Sequence, residues 1–269
     1  MLPASLTPVL MVGAGHMGGA LIAGWRRAGA IDASELLLRD PSPGEAALEA
    51  ARAGAVLNGP DAGLGSARTV ILAVKPQAWR SSAEAIARHL APAAVVISVM
   101  AGVSARDLSE IFPGRPIARV MPTTSAAILK GAASVWSSDP RGREAAHRMF
   151  EPLGVVVDLD RESLMHVATA ASGSAPAYVY ALVEALEAAA AGAGLDAAAA
   201  RVLSRSALIG AAALMEGSGA EASDLRRQVT SPGGTTEAAL KVLIGDGALA
   251  SLVSGAVRAA AARSRELGS

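Results

Sequence analysis

The sequence predicts an α/β domain with a doubly wound, mostly parallel sheet, followed by an all-α domain. Up to about residue 160, short apolar segments rich in β-branched residues alternate with helix-like segments. These apolar segments lack polar alternation, which indicates strands buried on both faces under helices. Beyond that point alanine, leucine and small residues dominate, a composition that favours helix. We therefore predict two domains, at residues 1–160 and 161–269.

Seven strands and the starts of two helices can be placed in the first domain. A helix is predicted from about Met17 to Ala28, where Gly29 ends it. Ser104, followed three residues later by Asp107, is typical of a cap that opens another helix. The predicted strands are residues 8–15, 36–40, 69–74, 94–99, 117–121, 133–136 and 155–159.

The second domain is more apolar than a water-exposed helical bundle should be. Tyr178, Leu182 and Leu186 follow one another at helical spacing, with Val179 and Val183 beside them. An ordinary buried helix would explain that stripe. However, a helical region this poor in charge would expose an apolar patch if the chain were alone. We therefore expect these helices to pack against a second subunit in an intertwined dimer.

Composition excludes several classes of function. The chain is 52% hydrophobic and 18% charged, as in a folded protein. A net charge of +0 and an aromatic content of 3% argue against a nucleic-acid-binding surface. The absence of cysteine excludes disulfides and thiolate chemistry, and the four scattered histidines argue against a zinc site.

The pattern of apolar segments predicts a soluble, cytoplasmic protein. The first residues have no basic segment ahead of their apolar run, unlike a secretory signal. In the most apolar helical stretch, around residues 178–195, Glu184 and Glu187 interrupt what would otherwise resemble a membrane span.

A glycine-rich motif follows the first strand. Gly13, Gly15 and Gly18 form G-x-G-x-x-G between an apolar strand and a helix, the context required for dinucleotide binding in a Rossmann-type domain. The first glycine permits the tight turn, the second lets a pyrophosphate approach the backbone, and the third allows close helix–strand packing. His16 and Met17 occupy the variable positions and are expected on the cofactor side. The alternative is a glycine turn without a ligand.

Residues near the end of the second strand bear on the choice between the two nicotinamide dinucleotides. Asp40 stands where an acidic residue binds a ribose 2′-hydroxyl, which favours NADH. Arg39 is adjacent and could pair with a 2′-phosphate, which favours NADPH. Asn58 is a further candidate for the same pocket.

Further cofactor contacts are expected where later strands end, because ligands of open α/β sheets bind beyond the carboxyl ends of the strands. These segments contain small or turn residues, together with one lysine. The predicted contacts are Ala73, Val74, Lys75, Pro76, Ala101, Gly102, Met121, Pro122 and Thr123.

The segment "VTSPGGTTEAAL" at residues 229–240 has two interpretations. It can be a turn between two helices with a threonine cap. It can also be an anion site, in which the Ser231 hydroxyl and the backbone N–H groups of Gly234, Thr235 and Thr236 face a ligand at a helix N-terminus. Glu237 in the first turn suits the helix dipole in either case.

Together these motifs resemble the pyrroline-5-carboxylate reductase family over nearly the whole length. The resemblance rests on "GAGHMGGAL", "AVKPQ", "RVMPTT", "ASGSAPAY" and "VTSPGGTTEAAL", in that order and spacing. It implies an N-terminal Rossmann domain and a C-terminal helical domain that interlocks with its partner in a dimer, with dimers often assembling into decamers. It also implies reduction of 1-pyrroline-5-carboxylate to L-proline by NAD(P)H, the last step of proline biosynthesis, in a site between the cofactor and the helical domain.

The resemblance assigns roles within the last motif. It places the substrate carboxylate on Ser231, Gly233, Gly234 and Thr235, and the catalytic Thr236 hydroxyl beside the ring nitrogen. Family habit favours NADPH, with NADH as the second choice. This chain departs from the family at four positions, which are His16, Thr123, Ser125 and Ala175, where Asn, Asn, Pro and Gly are usual.

Two other kinds of protein fit parts of the sequence. Another imine reductase, or a β-hydroxyacid reductase, could have the same two-domain plan. The hydroxyacid enzymes need a lysine on the long interdomain helix, whereas here no lysine occurs between Lys130 and Lys241. A dinucleotide-binding regulator without catalysis would have no need of the anion loop.

Overall fold

The computed structural model describes residues 1–267, and the chain divides into two compact units. The first unit is Met1–Gly173 together with residues 258–267. The second unit is Ser174–Val257.

One eight-stranded sheet forms the centre of the first unit, in the order 3-2-1-4-5-6-7-8. Counted along the chain, the first six strands are parallel, the seventh is antiparallel to the sixth, and the eighth is parallel to the seventh. The mostly parallel sheet is therefore confirmed. The strands are β1 (Val9–Val12), β2 (Leu36–Arg39), β3 (Val56–Leu57), β4 (Thr69–Leu72), β5 (Val95–Ser98), β6 (Ile117–Pro122), β7 (Gly131–Trp136) and β8 (Gly154–Asp158).

All seven predicted strands form, and the structure adds one that was missed. Strand β3 has two residues paired with Leu37 and Leu38 of β2, too short to give a sequence period. Several strands end before their predicted bounds. β1 stops at Val12 because Gly13 turns with a φ of 93°, and β4 stops at Leu72 before the segment that leads into Pro76.

Helices cover both faces of the sheet. Trp25 of the first helix is fully buried, stands edge-on to Phe150 at 6.4 Å between ring centroids, and donates Nε1–H to the carbonyl of Met149 at 2.7 Å. The predicted cap is confirmed, since Ser104 Oγ accepts from the N–H of Asp107 at 3.1 Å. The helices of this unit are α1 (His16–Arg27), α2 (Glu45–Arg52), α3 (Trp79–Ala87), α4 (Ala105–Ile111), α5 (Pro140–Phe150) and α6 (Met165–Ala168).

A buried ion pair ties β6 to the segment that precedes α6. Arg119 is 3% exposed, and its Nη1 lies 3.0 Å from Glu162 Oε1, which also accepts the N–H of Ala105 at 2.7 Å. Burial lowers the pKa of the Arg119 guanidinium below its usual range, while the hydrogen bond that it donates to Glu162 acts in the opposite direction. Burial and the nearby Arg119 also lower the pKa of His166, which hydrogen-bonds Ser264 at 3.0 Å.

Glu162→Gln is expected to lower the free energy of unfolding by about 3 kcal/mol, because it removes the carboxylate that pairs directly with the buried Arg119 charge. Urea denaturation measures the loss. Glu45→Gln is the matched control: Glu45 pairs with Arg52 at 2.9 Å, and both side chains are exposed. That variant should change stability by less than about 1 kcal/mol. Equal effects of the two substitutions would contradict this account.

The second unit is helical, and the described part of the chain from residue 162 onward contains no strand, as predicted. Helix α7 (Ala175–Gly192) ends before a loop that leads to Asp196, whose carboxylate caps α8 (Ala197–Ser218) by accepting the N–H groups of Ala198 and Ala199. The last helix runs from this unit into the first. The helices are α7 (Ala175–Gly192), α8 (Ala197–Ser218), α9 (Ala222–Gln228), α10 (Thr235–Ile244) and α11 (Ala248–Glu266).

The second unit exposes an unusual amount of apolar surface. Neither α7 nor α10 has a buried residue among the positions described. Two stretches, Ala197–Ser218 and Thr235–Glu266, are long and apolar enough to cross a membrane by length and composition alone, although Asp246 breaks the second with a φ of 51°. The large exposed side chains include Tyr180, Leu182, Leu186, Val202, Leu203, Ile209, Leu214, Met215, Val242, Leu243, Leu252 and Val253.

Candidate dinucleotide site and anion-binding loop

Every predicted cofactor residue lies at or just beyond the carboxyl end of one of the six parallel strands. Strand β1 has β2 on one side and β4 on the other, so the strand order reverses there. Such a reversal leaves a crevice at the carboxyl edge of the sheet, and this is where doubly wound folds bind ligands. The structure thus brings together the residues that the sequence predicted separately.

The three glycines of the G-x-G-x-x-G motif differ in the space that a side chain would have. A Cβ on Gly13 would lie 2.6 Å from the carbonyl oxygen of Ala73, and a Cβ on Gly18 would collide with the carbonyl oxygen of Gly13. Both positions therefore require glycine for the turn and for helix–strand packing. A Cβ on Gly15 would meet nothing within 4 Å among the described residues. The backbone at Gly15 is therefore open to a ligand, as the approach of a pyrophosphate requires.

The first turn of α1 is suited to an anion. Gly15 is its N-cap, and no described side chain caps this end. The first backbone N–H groups of the helix, beginning with His16 and Met17, lack helical partners and carry the positive end of the dipole. His16 is exposed beside them. The donors and the free space together fit a dinucleotide pyrophosphate.

Asp40, the residue after β2, is fixed by hydrogen bonds of its side chain and of its backbone. Asp40 Oδ2 accepts the N–H of Ala14 at 2.5 Å, and Asp40 Oδ1 accepts the N–H of Ser42 at 2.7 Å. The Asn58 side chain makes two hydrogen bonds to the Asp40 backbone, at 2.8 and 3.1 Å. Asp40 therefore fastens the glycine loop to β2, a role that sequence reasoning missed.

Arg39 has a partner that the sequence did not reveal. Its Nη2 lies 2.6 Å from Asp61 Oδ1, and the two side chains form an ion pair. The Arg39 side chain is 23% exposed. Asp61 opens the short 3-10 helix Asp61–Ser66, and it is separated from Arg39 by β3. Sequence reasoning considered Arg39 and Asp40 as competitors and did not include Asp61.

The later strand ends carry small or turn residues. The N–H of Ala73 donates to the carbonyl of Val12 at 2.8 Å, which joins the ends of β4 and β1. Lys75 is exposed at the start of the short 3-10 helix Pro76–Ala78, and Gly102 turns with a φ of 86°. Ala101 lies next to Gly102 in the same turn after β5.

Thr123 and Ser125, two of the four residues that differ from those usual in the family, contact each other. The Thr123 and Ser125 hydroxyl oxygens are 2.8 Å apart, and Thr123 Oγ1 also accepts the N–H of Ala132 at 3.0 Å. Thr123 is 6% exposed. Its hydroxyl thus stabilises the turn from β6 to β7, directly after Met121 and Pro122.

A π-helical turn was also missed by sequence reasoning. Thr169–Gly173 adopts this geometry just before α7, and a Cβ on Gly173 would lie 3.4 Å from Met121 Sδ. Ser172 donates its hydroxyl to the carbonyl of Ala168 at 2.8 Å. Single π turns are frequent at functional sites, and this one packs against a predicted cofactor residue.

The loop predicted to bind an anion belongs to the second unit. Residues 231–234, here called the SPGG turn, close with the N–H of Gly234 donating to the carbonyl of Ser231 at 3.0 Å. Gly233 has a φ of 72° after Pro232, as the third position of a type II turn requires. Gly234 is then the N-cap of α10, and no described side chain caps that end. The first N–H groups of α10, from Thr235 and Thr236, therefore remain open to an anion.

One detail of the predicted anion site is wrong. The Gly234 N–H was expected to face the ligand, but it is committed to Ser231 within the turn. Glu237 is also more than a residue that suits the dipole, because its Oε2 accepts the N–H of Gly233 at 2.6 Å. Lys241 lies 3.7 Å from the other oxygen of Glu237. Glu237 therefore holds the SPGG turn to the first turn of α10.

Two family models match separate parts of the chain. The model for pyrroline-5-carboxylate reductase dimerisation matches residues 162–267. The model described as NADP oxidoreductase, coenzyme F420-dependent, matches residues 8–102, which include the glycine loop. The match to a dimerisation model indicates that the chain forms an oligomer.

Relatives match the chain over nearly its whole length. The pyrroline-5-carboxylate reductase of Pseudomonas aeruginosa is 35% identical to this chain over 271 residues, and the match covers 96% of each of the two chains. The solved structure of such a reductase from Coxiella burnetii has a TM-score of 0.88 at 29% identity, covering 98% of this chain and 99% of that one. The NADP-bound pyrroline carboxylate reductase of Plasmodium falciparum has a TM-score of 0.83 at 26% identity, covering 97% and 98%.

Proposed function

The chain belongs to the pyrroline-5-carboxylate reductase family, and we propose that it reduces 1-pyrroline-5-carboxylate to L-proline with NAD(P)H, the last step of proline biosynthesis. The observation that carries this proposal is that two helices of the chain begin after glycine-rich turns, with no described side chain capping either N-terminus. One is α1 behind the open glycine loop at Gly15, which suits a dinucleotide. The other is the uncapped α10 behind the SPGG turn, which suits a small carboxylate.

The nicotinamide, when bound, supplies the hydride that the C=N carbon receives. A cyclic imine can arrive already protonated, so the protein needs orientation and a hydrogen bond at nitrogen more than a strong acid. Thr236 Oγ accepts the N–H of the protonated ring and holds that proton in place. Well-oriented partners account for roughly 7–11 kcal/mol of barrier, so a small set of residues is sufficient.

The substrate carboxylate is held by the loop that precedes Thr236. The N–H groups of Thr235 and Thr236 point from the first turn of α10, and Ser231 adds a hydroxyl from the SPGG turn. Gly233 and Gly234 contribute shape, because they turn the backbone without side chains that would block the carboxylate. Glu237 holds that turn through the N–H of Gly233.

The cofactor is NADPH, with NADH accepted as well. The NADP-bound Plasmodium relative supports the phosphorylated dinucleotide, and Arg39 is the basic residue at the end of β2 that can meet a 2′-phosphate. The pyrophosphate takes the first turn of α1. The residues proposed to contact the cofactor are Gly13, Gly15, His16, Met17, Gly18, Arg39, Asp40, Asn58, Ala73, Val74, Lys75, Pro76, Ala101, Gly102, Met121, Pro122 and Thr123.

The assembly is a homodimer with interlocked helical domains, and dimers combine further into a decamer. The exposed apolar side chains of α7, α8, α10 and α11 support a partner subunit, because a lone chain would present them to water. The two stretches of membrane-spanning length lie in the region that the dimerisation model matches, which favours interface helices of a soluble, cytoplasmic protein. Residues 1–160 form the dinucleotide-binding domain, and residues 161–269 form the substrate and dimerisation domain.

Steady-state assays test the activity directly. Purified protein with 1-pyrroline-5-carboxylate should oxidise NADPH, and more slowly NADH, with one proline formed for each cofactor consumed. Absence of turnover with both cofactors would contradict the proposal. A protein that binds dinucleotide but never consumes it would instead be a regulator. Sedimentation of the same sample should show no monomer at micromolar concentration.

A further inference from the structure

We propose that Asp61 sets the preference between NADPH and NADH, because its carboxylate competes with a 2′-phosphate for Arg39. This inference rests on the proposed function, since it concerns the dinucleotide of the same site. Arg39 Nη2 lies 2.6 Å from Asp61 Oδ1, and the side chain of Asp61 is 53% exposed. His89 Nε2 lies 3.6 Å from the second oxygen of Asp61.

The end of β2 is where this type of domain distinguishes a ribose 2′-hydroxyl from a 2′-phosphate. The acidic residue usually responsible for that choice would be Asp40. Its oxygens already accept the backbone N–H groups of Ala14 and Ser42, and its backbone is held by Asn58. Asp40 therefore shapes the loop in addition to any contact with the ribose, and the neighbouring ion pair is a separate determinant of the choice.

The two possible ligands meet this ion pair differently. A 2′-phosphate carries charge of the same sign as Asp61 and gains Arg39 only by displacing that carboxylate. A 2′-hydroxyl needs no displacement and can donate to the carboxylate as it stands. Asp61 thus weakens the binding of NADPH and leaves that of NADH nearly unaffected, which keeps the second cofactor usable.

Binding to the protein without substrate tests this inference independently of activity. Calorimetry gives the Kd of NADP⁺ and of NAD⁺ for the native chain and for Asp61→Asn. The variant should bind NADP⁺ on the order of ten-fold more tightly, the effect of one freed charge-assisted contact, and NAD⁺ within about two-fold of the native value. Asp61→Asn should also bind adenosine 2′,5′-bisphosphate more tightly than the native chain does, whereas its affinity for 5′-ADP should be unchanged.

Two further variants test whether the gain in NADP⁺ affinity depends on Arg39 or only on the change in net charge. Glu45→Gln removes another arginine-paired carboxylate with the same change in net charge, and it should leave both affinities unchanged. Arg39→Gln combined with Asp61→Asn should lose the gain in NADP⁺ affinity. A gain that persists without Arg39, or equal gains for NADP⁺ and NAD⁺, would overturn the inference.

The outcome also distinguishes this inference from the proposed function. If the native chain binds neither dinucleotide, the proposed reductase itself is contradicted. If it binds both and Asp61→Asn leaves their ratio unchanged, only the role of Asp61 is wrong. The Asp61 side chain is 53% exposed, so its isosteric substitution should alter folding stability by less than about 1 kcal/mol.

Discussion

Thr236→Ala is expected to lower kcat about 100-fold, the lower range of what a positioned proton-handling group contributes. Thr236 lies in the first turn of α10, whose N-terminus no described side chain caps. Its hydroxyl is the group proposed to contact the ring nitrogen, whereas its N–H serves the substrate carboxylate. Alanine keeps the N–H and removes only the hydroxyl. The Kd of NADP⁺ should therefore stay near that of the native protein, and KM should change little.

Thr236→Ser is the matched control for this experiment. Serine retains the hydroxyl at the same place, so kcat should recover to within about ten-fold of the native rate. Steady-state kinetics with saturating NADPH give both values. Unchanged turnover in Thr236→Ala would refute the catalytic role. Equal losses in both variants would indicate that the methyl group matters and that the hydroxyl does not.

Gly15→Ala is expected to weaken the binding of NADP⁺ on the order of 100-fold while the protein remains folded. A Cβ at this position meets nothing within 4 Å, so the methyl group fits the free protein. It would, however, occupy the space through which a pyrophosphate approaches the backbone. Calorimetry measures the affinity, and thermal unfolding without ligand measures the stability.

Two neighbouring glycines provide comparisons for that result. A Cβ on Gly19 would make ordinary contacts at 3.7 Å, so Gly19→Ala should leave both affinity and stability nearly unchanged. Gly18→Ala should instead destabilise the protein, because its methyl group would collide with the carbonyl of Gly13. If Gly15→Ala binds NADP⁺ as the native protein does, the glycine loop is not the pyrophosphate site.

The sheet and the glycine loop could be predicted from the sequence because their signals are local. Apolar strands such as Thr69–Leu72 are contiguous, and the spacing of Gly13, Gly15 and Gly18 is contained in six residues. Strand β3 could not be predicted, because two residues show no period and their pairing depends on β2. The excess of apolar residues in the second unit was also visible from composition, since it requires no knowledge of contacts.

The contacts that refine the two sites depend on the folded chain. Asp61 reaches Arg39 only after β3 has placed the 3-10 helix beside β2, and the two residues are separated by 22 positions in the chain. Glu237 reaches Gly233 only because the SPGG turn folds back on α10. The same turn commits the N–H of Gly234 to the carbonyl of Ser231. Sequence spacing shows which residues are close along the chain, but not which donors are already taken.

Isotope transfer tests the central claim most directly. Reduction of 1-pyrroline-5-carboxylate should be run with NADPH carrying two deuterium atoms at nicotinamide C4, and the proline should be analysed by mass spectrometry and NMR. We expect one deuterium in each proline, on the carbon that was the C=N carbon of the substrate. Proline without deuterium, or cofactor bound and never oxidised, would contradict it.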